Sequence, residues 1–163
     1  MKHLLTSSFA ASLILLSACT SEIQSQHEKT TPETTTDMNN TSSNLISMFE
    51  IPAADITRAI AFYTEILSIE IELMEVEGMK MGVLPYENQP VTGILVEMEG
   101  SVPSSNGSVI YFNAGNDLQV ALDKVEQNGG QIMVPKTMHA DESGYFAIVL
   151  DTEGNKIGLN SPH

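Results

Sequence analysis

The chain has 163 residues, of which 42% are hydrophobic and 17% are charged, a composition typical of one globular domain with length to spare. Its formal net charge is −14, and it contains only seven lysine and arginine residues. Nucleic acid is therefore not expected as a partner, because phosphate binding requires many basic side chains.

The N-terminal segment predicts a secretion signal. A positive charge at Lys2 precedes an apolar stretch at 9–16, and small residues follow it. Such a segment is too short to span a bilayer stably. Its last four residues, Leu-Ser-Ala-Cys at 16–19, resemble the lipobox of bacterial lipoproteins. The alternative is a soluble secreted protein cleaved near Ala18.

The lipobox resemblance implies that residues 1–18 are removed and that lipid is attached to Cys19. Cys19 is the only cysteine of the chain, so no intrachain disulfide is possible. In lipoproteins, an aspartate after the cysteine tends to retain the protein in the inner membrane. Thr20 stands at that position, which favours the periplasmic face of the outer membrane in a Gram-negative cell. The expected location is thus the cell envelope, with the membrane as a partner through the lipid.

Residues 19–44 predict a lipidated cysteine followed by a disordered tether. The segment is rich in threonine, serine and asparagine and has almost no apolar residues. It therefore cannot bury enough surface to offset the entropy of ordering. The folded domain is expected at 45–163.

The folded domain shows one pattern twice, in modules at about 45–100 and 107–161. In the first module, Asp55 is suited to cap a helix whose apolar residues recur every three or four positions. In the second, Asp117 has the same place, and Gly129 fits the left-handed position that ends a helix. The predicted elements are a strand at 45–51, a helix from 56 to about 67, strands at 70–76, 79–84, 92–99 and 108–113, a helical stripe at 118–125, and strands at 131–134, 145–150 and 156–160.

The repeat is also visible in the letters of the sequence. "DITRAIAFY" begins at Asp55 and "DLQVALDKV" begins at Asp117, 62 residues later, and both share Asp, Ala and aliphatic positions. Each half is β-α-β-β-β, which predicts an α+β fold. One such unit leaves a sheet face unburied, so the two units should pair.

Three segments resemble the vicinal oxygen chelate superfamily, which includes glyoxalase I, bleomycin-resistance proteins and extradiol dioxygenases. They are "FEIPAADITRAIAFYTEIL" (49–67), "VALDKVEQNGGQIMVPK" (120–136) and "GYFAIVLDTEGNKIGL" (144–159). The resemblance implies two βαβββ modules that pair into a curved, eight-stranded open barrel, as in glyoxalase. Members usually dimerise, so a homodimer is expected.

The acidic turn "DTEGN" at 151–155 could hold a cation or reverse the chain. Gly154 and Asn155 tolerate positive φ, and Asp151 can bond the backbone of the turn. Too few oxygen donors lie nearby at calcium-loop spacing. We therefore predict a hairpin connection, as the resemblance also implies.

Metal enzymes of this superfamily hold a divalent ion with four side chains, two from each module. The resemblance places the first ligand position at Met48 and the last at Gly158, the third at Val109 or Ile110, and the second near Leu95–Glu97. A thioether is a poor ligand for Ni, Zn, Mn or Fe, and glycine and aliphatic side chains offer no donor. At most Glu97 would remain, so we predict no metal and no cofactor.

Several side chains are candidate contacts for a small molecule in the trough of the paired sheets. Glu50 is two residues from Met48 and should share its face, and Tyr111 and Asn113 should share a face with Val109. His139 lies in a polar loop that borders the pocket mouth in the family. The candidate ligand-binding residues are Met48, Glu50, Glu97, Tyr111, Asn113 and His139.

Each candidate also has a purely structural interpretation. Glu50 can be a carboxylate at the rim of the sheet, and Tyr111 can pack in the core. His139 can simply be exposed, and Phe112, on the opposite strand face, is expected to pack against a helix. Seven methionines either line an adaptable pocket or fill core: Met48, Met74, Met79, Met81, Met98, Met133 and Met138.

Three functions follow from these observations. The first is an envelope-anchored protein that binds a small molecule in the sheet trough without a metal, as the bleomycin-resistance branch does. The second is an enzyme, a glyoxalase-type lyase or isomerase with Glu50 or Glu97 as base. The third is a structural or interaction module. The sequence does not name the ligand.

Overall fold

The structure, a computed structural model, describes residues 44–163. The predicted signal peptide, Cys19 and nearly all of the predicted tether lie outside the described residues. Within 44–163, no helix has both the length and the apolar character needed to cross a bilayer. The elements are β1 (Met48–Pro52), α1 (Ile56–Leu67), β2 (Glu72–Val76), β3 (Met79–Val83), β4 (Thr92–Glu97), β5 (Tyr111–Asn113), α2 (Gln119–Val125), β6 (Gln131–Met138), β7 (Tyr145–Leu150) and β8 (Lys156–Ser161).

Helix α1 forms where the capping residue and the apolar spacing predict it. The Asp55 carboxylate accepts a hydrogen bond of 3.1 Å from the Arg58 N–H, which satisfies one of the free donors of the first turn. Ser68, in the left-handed conformation, ends the helix. One face of the helix is buried, and it carries Ile56, Ala59, Phe62, Tyr63 and Ile66.

Helix α2 is shorter and begins at Gln119. The N-cap residue is Leu118 rather than the predicted Asp117, although Asp117 Oδ1 accepts a 2.9 Å hydrogen bond from the Gln119 N–H at the start of the helix. A turn of 3-10 helix follows at Glu126–Asn128 and ends at Gly129, whose φ of 87° is the left-handed value that glycine adopts without strain. The prediction for Gly129 is confirmed.

The strands form two four-stranded sheets of the same order, β1-β4-β3-β2 and β5-β8-β7-β6. In each sheet the first pair is parallel, and the other pairs are antiparallel. The repeated order confirms the predicted α+β fold of two βαβββ modules.

The two sheets meet at β1 and β5, and both helices cover the same side. The Phe49 and Phe112 rings contact each other with centroids 5.8 Å apart, and Tyr63 of α1 lies 5.6 Å from Phe112. The prediction that Phe112 packs against a helix is confirmed. Lys124 of α2 donates a 2.9 Å hydrogen bond to the Glu65 carbonyl of α1, so the helices contact each other. We call the opposite side of both sheets the open face.

Two strand boundaries differ from the predictions. Strand β6 continues through Pro135 to Met138, although a proline cannot donate to a strand ladder. The pairing of β6 with β7 accommodates this with two register shifts, between Ile132 and Val134 and between Val134 and Thr137. Strand β5 is shorter than predicted and begins only at Tyr111.

Candidate functional site

The acidic turn at 151–155 is a hairpin whose first carboxylate is buried. Asp151 Oδ1 accepts hydrogen bonds from the backbone of Glu153 and Asn155, at 2.9 and 2.8 Å. Its Oδ2 accepts from the Tyr63 hydroxyl at 2.8 Å and from Asn155 Nδ2 at 2.9 Å. Burial raises the pKa of Tyr63 well above its ordinary value, and the nearby Asp151 charge adds to the shift. The hairpin prediction is confirmed, and protein donors occupy both oxygens of Asp151.

The second carboxylate of the turn binds the start of α1 in the other module. Glu153 Oε2 accepts from the backbone N–H groups of Ala54 and Asp55, at 2.9 and 3.0 Å. Arg58 adds two side-chain hydrogen bonds, of 2.8 and 2.9 Å. Burial opposes ionisation of Glu153, but these hydrogen bonds outweigh it and lower its pKa. The turn therefore connects the two modules.

The first and third metal positions of the superfamily can be located from the sheet register. The backbone N–H of Ala53 donates to the end of β4, and that of Ala114 donates to the end of β8, both at 2.8 Å. These two alanines are therefore equivalent, 61 residues apart. Five residues before each of them stand Met48 and Val109. Counted from Met48, which the resemblance gives as the first position, the third is Val109 rather than Ile110.

The second and fourth positions follow from the parallel strand pairs. Glu50 pairs with Ile94 in the first module, and Tyr111 pairs with Gly158 in the second. Because Glu50 and Tyr111 are equivalent by the same spacing of 61 residues, Ile94 is the counterpart of Gly158. Counted from Gly158, which the resemblance gives as the last position, the second is Ile94, one residue before the expected Leu95–Glu97. A one-residue shift in a strand moves a side chain to the other face, and neither strand face here is marked by polar residues.

The space above Gly158 is filled by an aromatic ring. A Cβ atom built on Gly158 would lie 2.2 Å from Tyr111 Cδ1, far inside van der Waals contact. The Tyr111 ring thus occupies the volume that a ligand side chain at position 158 would need. A side chain at 158 would therefore require the Tyr111 ring to shift.

None of the four positions carries a nitrogen or oxygen donor in its side chain. Met48 has a thioether, Ile94 and Val109 have aliphatic side chains, and Gly158 has no side chain. This set does not fit a divalent ion of the kind the superfamily uses, which requires nitrogen or oxygen donors. Nowhere in residues 44–163 do three His, Cys, Asp or Glu side chains lie close enough together to hold a metal ion.

Glu97 does not join the other candidates, because it lies on the helix side of β4. Its Oε2 accepts a 2.8 Å hydrogen bond from the Ile56 N–H, and its Oε1 accepts one of 2.8 Å from Lys80 Nζ. The bond from Lys80, followed by that from Ile56, lowers the pKa of Glu97. Glu97 therefore caps α1, and Ser161, which accepts from the Leu118 N–H at 2.9 Å, has the same place in the second module.

The remaining strand candidates lie together on the open face at the junction of the sheets. Met48 and Tyr111 are 51% and 50% exposed, so they are half available to a ligand. Asn113 Oδ1 accepts a 3.0 Å hydrogen bond from the Gly115 N–H. A cavity of about 750 Å³ opens at this junction. Its lining includes Glu50, Tyr111 and Asn113 of the open face together with Phe49 and Leu84 of the helix side, and it does not include Met48. Glu50 is the only charged residue of that lining.

His139 lies farther along the open face, in the second module. Its Nε2 is 3.1 Å from Asn160 Oδ1, and its ring centroid is 5.0 Å from that of Phe146. A smaller cavity of about 370 Å³ adjoins this group and is lined in part by Tyr111, Asn113 and Asn160. Sequence reasoning missed Asn160 and Phe146. For Asn160 a signal existed, since it is two residues beyond Gly158 and shares its face.

Fold and sequence together define the class of protein. Residues 45–159 match the Glyoxalase/Bleomycin resistance protein/Dioxygenase superfamily. The chain therefore belongs to this superfamily. A glyoxylase-like domain-containing protein of Didymella fabae is 29% identical over 115 residues, which are 68% of this chain and 88% of that protein.

Solved structures with the same fold include an enzyme and an antibiotic-binding protein. Glyoxalase I from Zea mays is 20% identical over 71% of this chain and 45% of its own, with a TM-score of 0.58. The present chain thus spans less than half of the maize enzyme. TnmS3, an antibiotic binding protein from Streptomyces sp. CB03234, is 20% identical over 74% of this chain and 97% of its own, with a TM-score of 0.57. A glyoxalase/bleomycin resistance protein from Albidiferax ferrireducens is 19% identical over 72% and 98%, with a TM-score of 0.56.

Proposed function

We propose that this domain captures a small organic molecule on its open face without a divalent metal ion. The observation that carries the proposal is the contact between Tyr111 and Gly158. The ring fills the place of a ligand side chain, and the other three positions also lack nitrogen and oxygen donors. An aromatic ring at the centre of the face is suited to stacking on a ligand instead.

The chemistry of the cavity supports capture of a molecule that is mainly apolar. Aromatic and aliphatic side chains form most of its lining, and polar groups are few, which is the usual composition of a small-molecule site. Glu50 and Asn113 would orient the polar groups of the ligand, and Tyr111 would contact its apolar surface; Met48 is not part of the cavity lining. His139 and Asn160 extend the polar part of the same face. That TnmS3 binds an antibiotic on this fold supports capture as a function the fold permits.

Native mass spectrometry of the mature protein, purified from its own cell, tests the proposal. We expect a bound organic molecule and no stoichiometric Ni, Zn, Mn or Fe. Replacing Tyr111→Ala or Glu50→Gln should reduce the bound fraction. The matched control is Val120→Ala, since Val120 is 62% exposed and lies on α2, away from the open face. Retention of the same molecule by both open-face variants would contradict the assigned site.

A glyoxalase-type lyase or isomerase is the alternative that the likeness to maize glyoxalase I favours. It would use Glu50 as base, since Glu97 is held by Lys80 and Ile56. The test is turnover of the hemithioacetal of methylglyoxal and glutathione, with and without added Ni, Zn, Mn or Fe. We expect no turnover in either case. Activity that depends on the added ion would overturn the proposal of metal-free capture.

We further propose that Cys19 carries lipid and anchors the domain at the cell envelope, and that the domain is a homodimer. The lipobox resemblance at 16–19 supports the lipid anchor. The usual dimerisation of superfamily members supports the homodimer. Metabolic labelling with an alkyne fatty acid should label the parent chain and not a Cys19→Ser variant. Light scattering of that Cys19→Ser variant should give twice the mass of one chain; a monomer would contradict the dimer alone.

A further inference from the structure

Methionine side chains cluster on the open face of the first module, away from the candidate site. Strands β2 and β3 pair antiparallel with Met74 opposite Met81. Directly opposed residues of an antiparallel pair point to the same face, with Cβ atoms about 4.5–5.5 Å apart. Because a methionine sulfur lies two bonds beyond Cβ on a flexible chain, these two sulfur atoms can reach a common point.

Two more methionines extend the cluster. Met79 is two residues from Met81 on the same strand, so both share a face at a spacing of about 7 Å. Strands β3 and β4 pair with Lys80 opposite Glu97, and the next step of this register brings Met79 opposite Met98. Lys80 and Glu97 point to the helix side, where Glu97 caps α1. Their neighbours Met79 and Met98 therefore point to the open face.

Core filling does not explain this cluster. Met74 is 43% and Met98 is 46% exposed, and every residue of the edge strand β2 is exposed. A methionine that fills an irregular gap in a core is buried. Met79 and Met81 are partly buried, and the exposed Met74 and Met98 leave the cluster open to solvent and to an ion.

We propose that the methionine cluster, Met74, Met79, Met81 and Met98, binds a soft monovalent cation, Cu(I) or Ag(I). Thioether ligands select Cu(I), whereas Zn, Mn or Mg require nitrogen or oxygen donors. Three or four neutral sulfur donors on neighbouring strands provide a ligand set of this kind, and none of them has to lose a proton. The acidic residues Glu75, Glu77 and Glu99 lie next to the cluster in the chain and attract cations to this end of the sheet.

This site is independent of the proposed capture of an organic molecule. The cluster lies on β2, β3 and the end of β4, whereas Glu50 and Tyr111 lie on β1 and β5. Strand β1 is separated from β3 by β4, a distance of about 10 Å between strand axes. Either proposal can therefore fail without the other.

Anaerobic titration of the full chain with Cu(I), against the chromophoric competitor bicinchoninate, tests the site. All proteins should carry Cys19→Ser, because a free thiolate would bind the ion itself. We expect one Cu(I) per chain. The double variant Met74→Leu/Met81→Leu should bind roughly 10- to 100-fold more weakly or worse, since even loss of an outer partner has an effect of this size.

The control variant is Met133→Leu/Met138→Leu. Both residues are 51% exposed and lie on β6 in the other module, so their replacement should leave the affinity unchanged. Exchange of methionine for leucine conserves volume, and thermal unfolding will verify that each variant folds. Equal affinity of the double variant and the parent would overturn the proposal, and so would a parent chain that binds no Cu(I).

Two measurements on the chain with all its methionines identify the donors without relying on variants. X-ray absorption at the copper edge should show a first shell of sulfur alone. In protein labelled at the methionine methyl carbons, added Ag(I) should shift four methyl signals and leave those of Met48, Met133 and Met138 in place. A shell of nitrogen or oxygen, or shifts spread over all methionines, would refute the assignment.

Discussion

The Tyr63 hydroxyl donates a 2.8 Å hydrogen bond to Asp151 Oδ2, joining residues 88 positions apart. Tyr63 lies on α1 of the first module, and Asp151 begins the last hairpin of the second. Both residues are buried, at 0% and 4% exposure. A buried carboxylate requires its hydrogen-bond donors, so this contact couples the packing of the two modules.

Replacing Tyr63→Phe removes the hydroxyl and leaves the ring in place. Asp151 keeps three of its donors but loses one inside the protein, which should lower the free energy of unfolding by about 1–2 kcal/mol. Urea denaturation followed by circular dichroism measures the change. Tyr86→Phe is the control, because Tyr86 is 63% exposed, and it should be neutral. Equal stability of the two variants would show that the contact is dispensable.

The same tyrosine should make the fold sensitive to alkali. Burial and the Asp151 charge raise the pKa of Tyr63, so the folded state keeps the proton after the unfolded chain has lost it. The stabilisation is complete below the unfolded pKa of about 10 and is lost as the pH rises towards the folded value. In stability measurements from pH 8 to 11, the Tyr63→Phe variant should lose less free energy of unfolding than the parent. Parallel curves would contradict the assignment.

Glu153 should produce the opposite dependence in acid. Its pKa is lowered because hydrogen bonds from Arg58, Asp55 and Ala54 outweigh the effect of burial. The stabilisation is therefore present above the unfolded pKa of about 4.3 and is lost as the pH falls through the folded value. Replacing Glu153→Gln removes the charge that the N–H groups of Ala54 and Asp55 and the Arg58 guanidinium stabilise, which should lower the free energy of unfolding at pH 7 by about 1–2 kcal/mol. The effect stays moderate because Arg58 is half-exposed and solvent screens its charge.

Acid titration of stability from pH 7 to 3 checks this dependence. The Glu153→Gln variant should lose less stability than the parent over that range. Glu87→Gln, a change in an exposed turn, should follow the parent curve. If the Glu153→Gln variant also followed it, the connection between the modules would not depend on the ionised carboxylate.

Local signals in the sequence predicted the fold and the acidic hairpin, but not the partners of the hairpin. The spacing of apolar residues in α1 and the glycine and asparagine of the turn act within a few residues. The distant donors that Asp151 and Glu153 bind lie on α1 or just before it, 88 to 99 residues away. Nothing in the turn itself indicates which distant donors its carboxylates meet.

The position of Glu97 shows a second limit. Strand β4 has buried apolar residues on both faces, Leu95 and Val96, and a polar residue on each, Glu97 and Thr92, so its pattern does not tell which residues face the trough. The face is fixed by the pairing of β1 with β4, which is a long-range property. Glu97 was therefore placed among the candidates of the open face although it caps α1. Alternation from Met48 and Val109 places Glu50 and Tyr111 on the trough side, and both residues line the larger cavity.

The contact between Tyr111 and Gly158 yields the sharpest prediction about the metal positions of the superfamily. The quadruple variant Met48→His, Ile94→Glu, Val109→His and Gly158→Glu restores four donors at the superfamily positions. It should still fail to bind Zn²⁺, because a Cβ at 158 would lie 2.2 Å from the ring and displace the glutamate or the tyrosine. Adding Tyr111→Ala vacates this volume and should permit a tetrahedral site with oxygen and nitrogen donors.

Isothermal titration calorimetry with Zn²⁺ distinguishes the two variants. The variant with five changes should bind one ion per chain, and the variant that keeps Tyr111 should not. A variant with the five changes but Glu50→Gln added serves as the control for adventitious binding to the nearby carboxylate, and it should keep its affinity. Tight binding in the presence of Tyr111 would mean that the ring moves aside readily. In that case the tyrosine would be a gate over position 158 rather than a replacement for its ligand.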